Sequence, residues 1–157
     1  MSLLSRKIAA AVDNHPGPGP LSIDDAPRRL TLDLTSASPV GVAFNTLDFA
    51  AGDGATRSTD DLKRWGDRLA ARLTYLMEPL VVLEVDVVGG EIELRSQSPS
   101  ARDTLRSFYE VTLRRDGSLH LRRVAFDATD RCRRPIPCQL TREALDRLAD
   151  DLVASVV

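Results

Sequence analysis

LRSFYEVTLRRDGSLHLRRVAFD, residues 105–127, is the stretch that decides how this chain folds. Apolar residues alternate on both sides of Asp116-Gly117, the pattern of a hairpin. A two-residue loop would set Leu113 against His120 and mix the faces. A three-residue loop, Arg115-Asp116-Gly117 with Gly117 in the left-handed region, instead sets Leu113 against Leu119 and Val111 against Leu121. That register leaves Thr112 with His120 and Glu110 with Arg122 on the opposite side. Phe108 and Val124 break the parity, which predicts a further bulge or a strand covered on both faces at the hairpin's base.

Upstream, LVVLEVDVVGGEIELRSQ at 80–97 reads as a second hairpin, because Gly89-Gly90 suits a type I′ turn. The pairs expected from that turn are Val87 with Ile92, Val85 with Leu94 and Leu83 with Ser96. Glu84 then faces Arg95, and Asp86 faces Glu93. Two hairpins in series predict an antiparallel meander.

Further out, Leu30, Leu32 and Leu34 alternate with polar residues over 29–35, a half-buried strand. Residues 40–49 make another strand, in which Val40, Val42 and Phe44 share one parity and Leu47 and Phe49 the other. That slip places a bulge near Asn45-Thr46. Ser58 to Asp61 resembles a capping box, and Leu62, Trp65, Leu69, Leu73 and Leu76 form one stripe, so a helix is expected over 59–77. A last helix over 142–154 has Thr141 as N-cap, Leu140 poised to staple onto Leu145, and Ala144, Leu145, Leu148 and Leu152 as its buried stripe. Pro135 and Pro137 predict an extended loop over 131–139.

At the other end, Leu4, Ile8 and Val12 mark a short helix over 3–13. Residues 14–20 hold three prolines and two glycines, which reads as a semi-extended linker. The expected organisation is thus an arm and linker at 1–20 and a single domain at 21–157. Its class is α+β: a meander sheet of about six strands, ordered α-β-β-α-β-β-β-β-α, with helices on one face. A chain of 157 residues has room for one such domain. No repeat of 20–50 residues interrupts it.

Composition narrows function by exclusion. With 43% hydrophobic and 28% charged residues, the chain has the balance of a folded globular protein. Its net charge of −2 gives no global pull toward nucleic acid or anionic lipid, and 4% aromatics offer no base-stacking platform. No apolar run is long enough for a membrane helix or a secretory leader, and the two cysteines, Cys132 and Cys138, match no zinc spacing; a cytoplasmic protein with free thiols and no metal or cofactor is expected. HExxH, GxSxG and Walker patterns are absent, and His15 and His120 stand far apart in sequence. Residues 51–56 carry glycines before a helix start, yet without a phosphate-binding lysine they read as a flexible loop.

The charge distribution is more informative. Between Arg102 and Arg134, nine arginines stand against five acids. Arg114, His120 and Arg122 fall on the polar side of the 105–127 hairpin, and Arg131, Arg133 and Arg134 crowd the proline-rich loop. Such charges commonly just keep a sheet face in water. As a site, these six side chains would grip an anionic ligand or partner. Asp86 and Glu93 would be an acid pair if they met. Cys132 among arginines would be a reactive thiol if exposed.

The expected function is therefore a non-catalytic interaction module, binding another protein or another copy of itself through its sheet edges or its arm. The competing expectation is a small-molecule binder, holding a ligand, possibly an anion, between sheet and helices. Trp65, Tyr75 and Phe108 would line that pocket.

Overall fold

In the computed structural model, which describes residues 2–15, 17–76, 78–97, 100–102 and 104–157, the 105–127 hairpin forms as its alternation requires. Strand β7 (Leu105–Arg114) pairs with β8 (Ser118–Asp127) in the three-residue-loop register, Leu113 against Leu119 and Val111 against Leu121. Gly117 takes a φ of 87°, the left-handed conformation the loop demands. Met1, Pro16, Met77 and Asp103, which the sequence readings included, lie outside the described residues, as do Ser98 and Pro99.

The fold is α+β with an antiparallel sheet, richer in strands than expected. Helix α1 (Leu3–Asp13) precedes β1 (Gly19–Asp25), β2 (Arg28–Ala37) and β3 (Gly41–Ala50). Helix α2 (Thr59–Arg72) leads to β4 (Leu80–Asp86), β5 (Glu91–Ser96) and the short β6 (Ser100–Arg102). After β7 and β8 come β9 (Cys132–Ile136), β10 (Cys138–Thr141) and α3 (Arg142–Ser155). The main path runs β1-β2-β3-β8-β7-β5-β4, with β6 on β7. The expected bulge is present: Leu32 pairs with Leu47 and Leu34 with Phe44, so Asn45 and Thr46 together oppose Asp33.

Five expectations need correction. The 14–20 linker gives way at Gly19 to β1, whose Ile23 is buried; β1 is a terminal strand of the sheet path, where prolines such as Pro20 cost no central ladder bond. The 131–139 loop is two strands. β3 and β8 pair from Thr46 to Ala50 and then diverge, and the chain from Cys132 enters the fork, β9 joining β8 and β10 joining β3. Each pairs on one side only, a setting in which Pro135 is tolerated. Helix α2 stops at Arg72, because Leu73 leaves helical geometry (ψ 64°). Leu73 and Leu76 remain in the core, and the Tyr75 hydroxyl reaches Asp151 of α3.

The β4–β5 turn is not type I′. The Asp86 carboxylate accepts the Gly89 N–H at 2.7 Å and its carbonyl accepts the Gly90 N–H at 2.9 Å, closing a four-residue loop over 87–90 in which only Gly90 has positive φ. The register moves by two, to Val85 with Ile92, and a bulge at Leu83 then puts Val82 opposite Leu94. Glu84 faces Glu93, Asp86 faces Glu91, and Arg95 faces Val81, so the expected Asp86–Glu93 and Glu84–Arg95 pairs do not form.

Finally, α1 is no free arm. It packs on β1 and α3; Leu4, Ile8 and Val12 belong to the same buried cluster as the sheet, and Arg142 of α3 pairs with Asp13 at 3.0 Å. Apolar stripes on all three helices and on one sheet face leave water together, the main driving force for this layer. Replacing Ile8 by Val should cost about 1 kcal/mol in urea unfolding, as for a core methylene, where a detached helix would show no change.

Candidate functional site

Helices cover one face of the sheet and leave the other to solvent. On the open face the residues alternate with the buried ones, so Glu93 and Arg95 of β5, Phe108, Glu110 and Thr112 of β7, and His120, Arg122, Val124 and Phe126 of β8 stand on it. The parity break at Phe108 and Val124 needs no extra bulge: they are paired residues, both buried, in strands covered on both sides.

What covers them is arginine. The Arg95 guanidinium lies 4.8 Å from the centre of the Phe108 ring, and that of Arg133 lies 5.6 Å away. Both belong to a charge cluster built on Glu110, whose side chain is only 7% exposed. Arg95 Nη2 donates to Glu110 Oε1 at 3.2 Å, Arg122 Nε donates to Oε2 at 3.0 Å, and Arg133 pairs with Oε1. Burial pushes the Glu110 carboxyl up, but the Arg122 hydrogen bond and the charges of Arg133, Arg122 and Arg95 outweigh it and hold the group below the ordinary carboxylate range. Arg95 also reaches Glu93 at 3.3 Å. Its Nε is buried with no hydrogen-bond partner among the described residues, an unused donor.

Beside this cluster runs an open groove of about 410 Å³. Leu83, Phe108 and Phe126 give it an apolar floor, and Arg95, Arg106 and Arg133 give it a cationic rim. The bulge at Leu83 is what turns that leucine out of the core, 45% exposed, onto the groove. Arg106 makes no ion pair among the described residues, so its charge is unspent.

Of the six expected site residues, the structure brings Arg122 and Arg133 together on Glu110. Arg114 lies toward the other end of the face, donating to Glu91 at 2.9 Å, and His120 Nδ1 is 2.7 Å from Asp48 Oδ1. Arg134 pairs with Asp130 at 3.5 Å and Asp127 at 3.7 Å, and Arg131 sits in the turn before β9 with φ 58°; neither lines the groove. Arg95, Arg106 and Phe126 were missed as site residues. The signal that could have found them is the broken parity at Phe108, since an aromatic on a polar face needs neighbours to cover it.

The remaining candidates fall elsewhere. Trp65 is fully buried, its Nε1–H donating to Ser155 Oγ at 3.0 Å, and Tyr75 packs under Arg147 on α3; of the three expected pocket walls only Phe108 lines the groove. Cys132 is exposed, and Cys138 is buried, which pushes its thiol up to about 12. The 51–56 loop is anchored, the Ala51 N–H donating to Gly117 and the Arg57 side chain gripping Asp53 at 2.7 Å. No helix among the described residues is long and apolar enough to cross a membrane. No protein-family model, curated protein or solved structure resembles this chain closely enough to count as a match.

Proposed function

We propose that this chain is a protein-binding module whose open sheet face grips an acidic segment of a partner polypeptide. One observation carries the reading: an apolar floor of Phe108, Phe126 and Leu83 lies inside a rim of three arginines, on the face that no helix covers. Carboxylates would pair with Arg106 and with the rim guanidiniums of Arg95 and Arg133, while an apolar side chain would lie against the rings. The groove is a trough, not an enclosure, and small ligands usually need most of their surface buried; this favours a polypeptide over a free metabolite.

The test is fluorescence anisotropy with a labelled peptide of alternating glutamate and valine. Arg106→Glu, which disturbs no ion pair of the fold among the described residues, should weaken binding at least about tenfold, or 1.4 kcal/mol, and added salt should weaken it further. Undiminished binding by the variant would remove the reading. A small anion retained by the monomer in native mass spectrometry, and lost in the variant, would replace it with the metabolite-binding alternative.

A further inference from the structure

Six large apolar side chains are strongly exposed among the described residues, and three of them, Leu83, Val87 and Val88, belong to one hairpin. Val87 is 59% exposed and Val88 is 97% exposed. Turn positions normally go to Gly, Asn, Asp or Ser, so paired valines at a hairpin end call for an explanation. Nor is this end loose. Asp86 holds the Gly89 and Gly90 amides, Arg115 Nη2 donates to the Val87 carbonyl at 2.6 Å, and the Arg115 N–H reaches Gly90. The valines are a preformed knob, and ordering them on binding costs little entropy. Acids outnumber cations around them: Glu84 and Asp86 on β4 and Glu91 and Glu93 on β5 stand against Arg114, which pairs with Glu91, and Arg115.

This acidic, apolar knob has the chemistry that the groove selects. Knob and groove lie at opposite ends of the β4–β5 hairpin, about 20 Å apart over the six residue-to-residue steps from Glu91 to Gln97. The open face is therefore net acidic at one end and net basic at the other. We infer that the groove's occupant is the 87–90 knob of a second copy of this chain, in a reciprocal two-fold dimer. Two open faces meet with their strands reversed, Val87 and Val88 of each copy on Phe108 and Phe126 of the other, and the flanking carboxylates on Arg95, Arg106 and Arg133. A self-complementary patch of this kind closes after two subunits, with both knobs and both grooves used. The inference rests on the groove's taking an acidic polypeptide, as proposed above.

Sedimentation velocity on the full chain tests it. Arg106→Glu sets acids against each other at both contacts, and Val88→Lys sets a cation against the arginines; neither residue supports the fold. Each variant alone should dimerise at least about tenfold more weakly than the parent, a change of 1.4 kcal/mol. Mixed, they should restore the dimer, because one contact then sets the introduced lysine of one copy on the introduced glutamate of the other, while the second contact is unaltered. A parent chain that stays monomeric, a dimer indifferent to Arg106→Glu, or a mixture without recovery overturns the inference. The peptide experiment separates the two ideas: a monomer that still binds the glutamate–valine peptide loses the second-copy occupant and keeps the groove, and one that binds nothing loses both.

Discussion

Gly52→Ala is expected to destabilise the protein by about 4 kcal/mol or more, at the extreme of single substitutions. The strand β3 ends at Ala50, and the chain then passes directly over the β1–β2 turn. A Cβ at Gly52 would lie 1.8 Å from the Pro27 carbonyl oxygen, an overlap with backbone that no side-chain rotation relieves. Its φ of 67° adds the left-handed penalty. Neighbouring bonds hold the approach in place: Arg28 Nη1 donates to the Ala51 carbonyl at 2.7 Å, and the Ala51 N–H donates to Gly117 at 2.9 Å. Gly54 supplies the control. It has nearly the same φ, 69°, but nothing within 4 Å of an added Cβ, so Gly54→Ala should cost only about 1–2 kcal/mol. Urea unfolding of both variants measures the difference. Equal losses would mean that the conformation, not the overlap, makes the glycine necessary.

The second large effect is at Glu110. Removing one member of a buried ion pair strands the others, and Glu110 answers three arginines, so Glu110→Leu should cost about 3 kcal/mol at neutral pH. The arginines are 31–49% exposed and recover some hydration, which keeps the figure at the low end of that class. The pH dependence has a definite sign. Glu110 has its folded carboxyl held below the ordinary value of 4.5, so it contributes stability above that value and loses it as pH falls through the lower, folded one. The gap between parent and variant should thus be widest at neutral pH and narrow steadily as pH falls below 4.5. A gap independent of pH would show that Glu110 acts through packing alone. The same substitution should release Arg95 and Arg133 from their anchor and loosen the groove rim.

Much of this architecture was legible in the residues, wherever one periodicity dominated. Leu4, Ile8 and Val12, the stripe from Leu62 to Leu69, and Leu145 to Leu152 gave their helices, and the face arithmetic around Asp116-Gly117 gave the β7–β8 register. The bulge at Asn45-Thr46 was legible for the same reason, since a slip in parity has no other simple cause. Illegible elements were those in which a tertiary bond overrode a local preference. Gly89-Gly90 argues for a tight turn, but the Asp86 side chain can close a longer one, and nothing in the order of residues says which wins. Pro20 and Pro135 argue against strands, but only in the middle of a sheet; a strand paired on one side accepts them, while Pro18 and Pro137 fall just outside β1 and between β9 and β10. The site was half legible. Arg122 and Arg133 stood out by local density, while Arg95 and Arg106 come to line one groove only through the pairing of β5, β7 and β8.

The divergence of β3 from β8 has its own consequence for how the molecule is made. Strand β3 is made long before residues 132–141, so the backbone groups it offers to β10 stay unpaired until that segment follows. The fork is filled from inside and not at a rim, which makes the closing segment a keystone: until it is laid in, the Gly41–Phe44 stretch of β3 is an open edge where chains could aggregate.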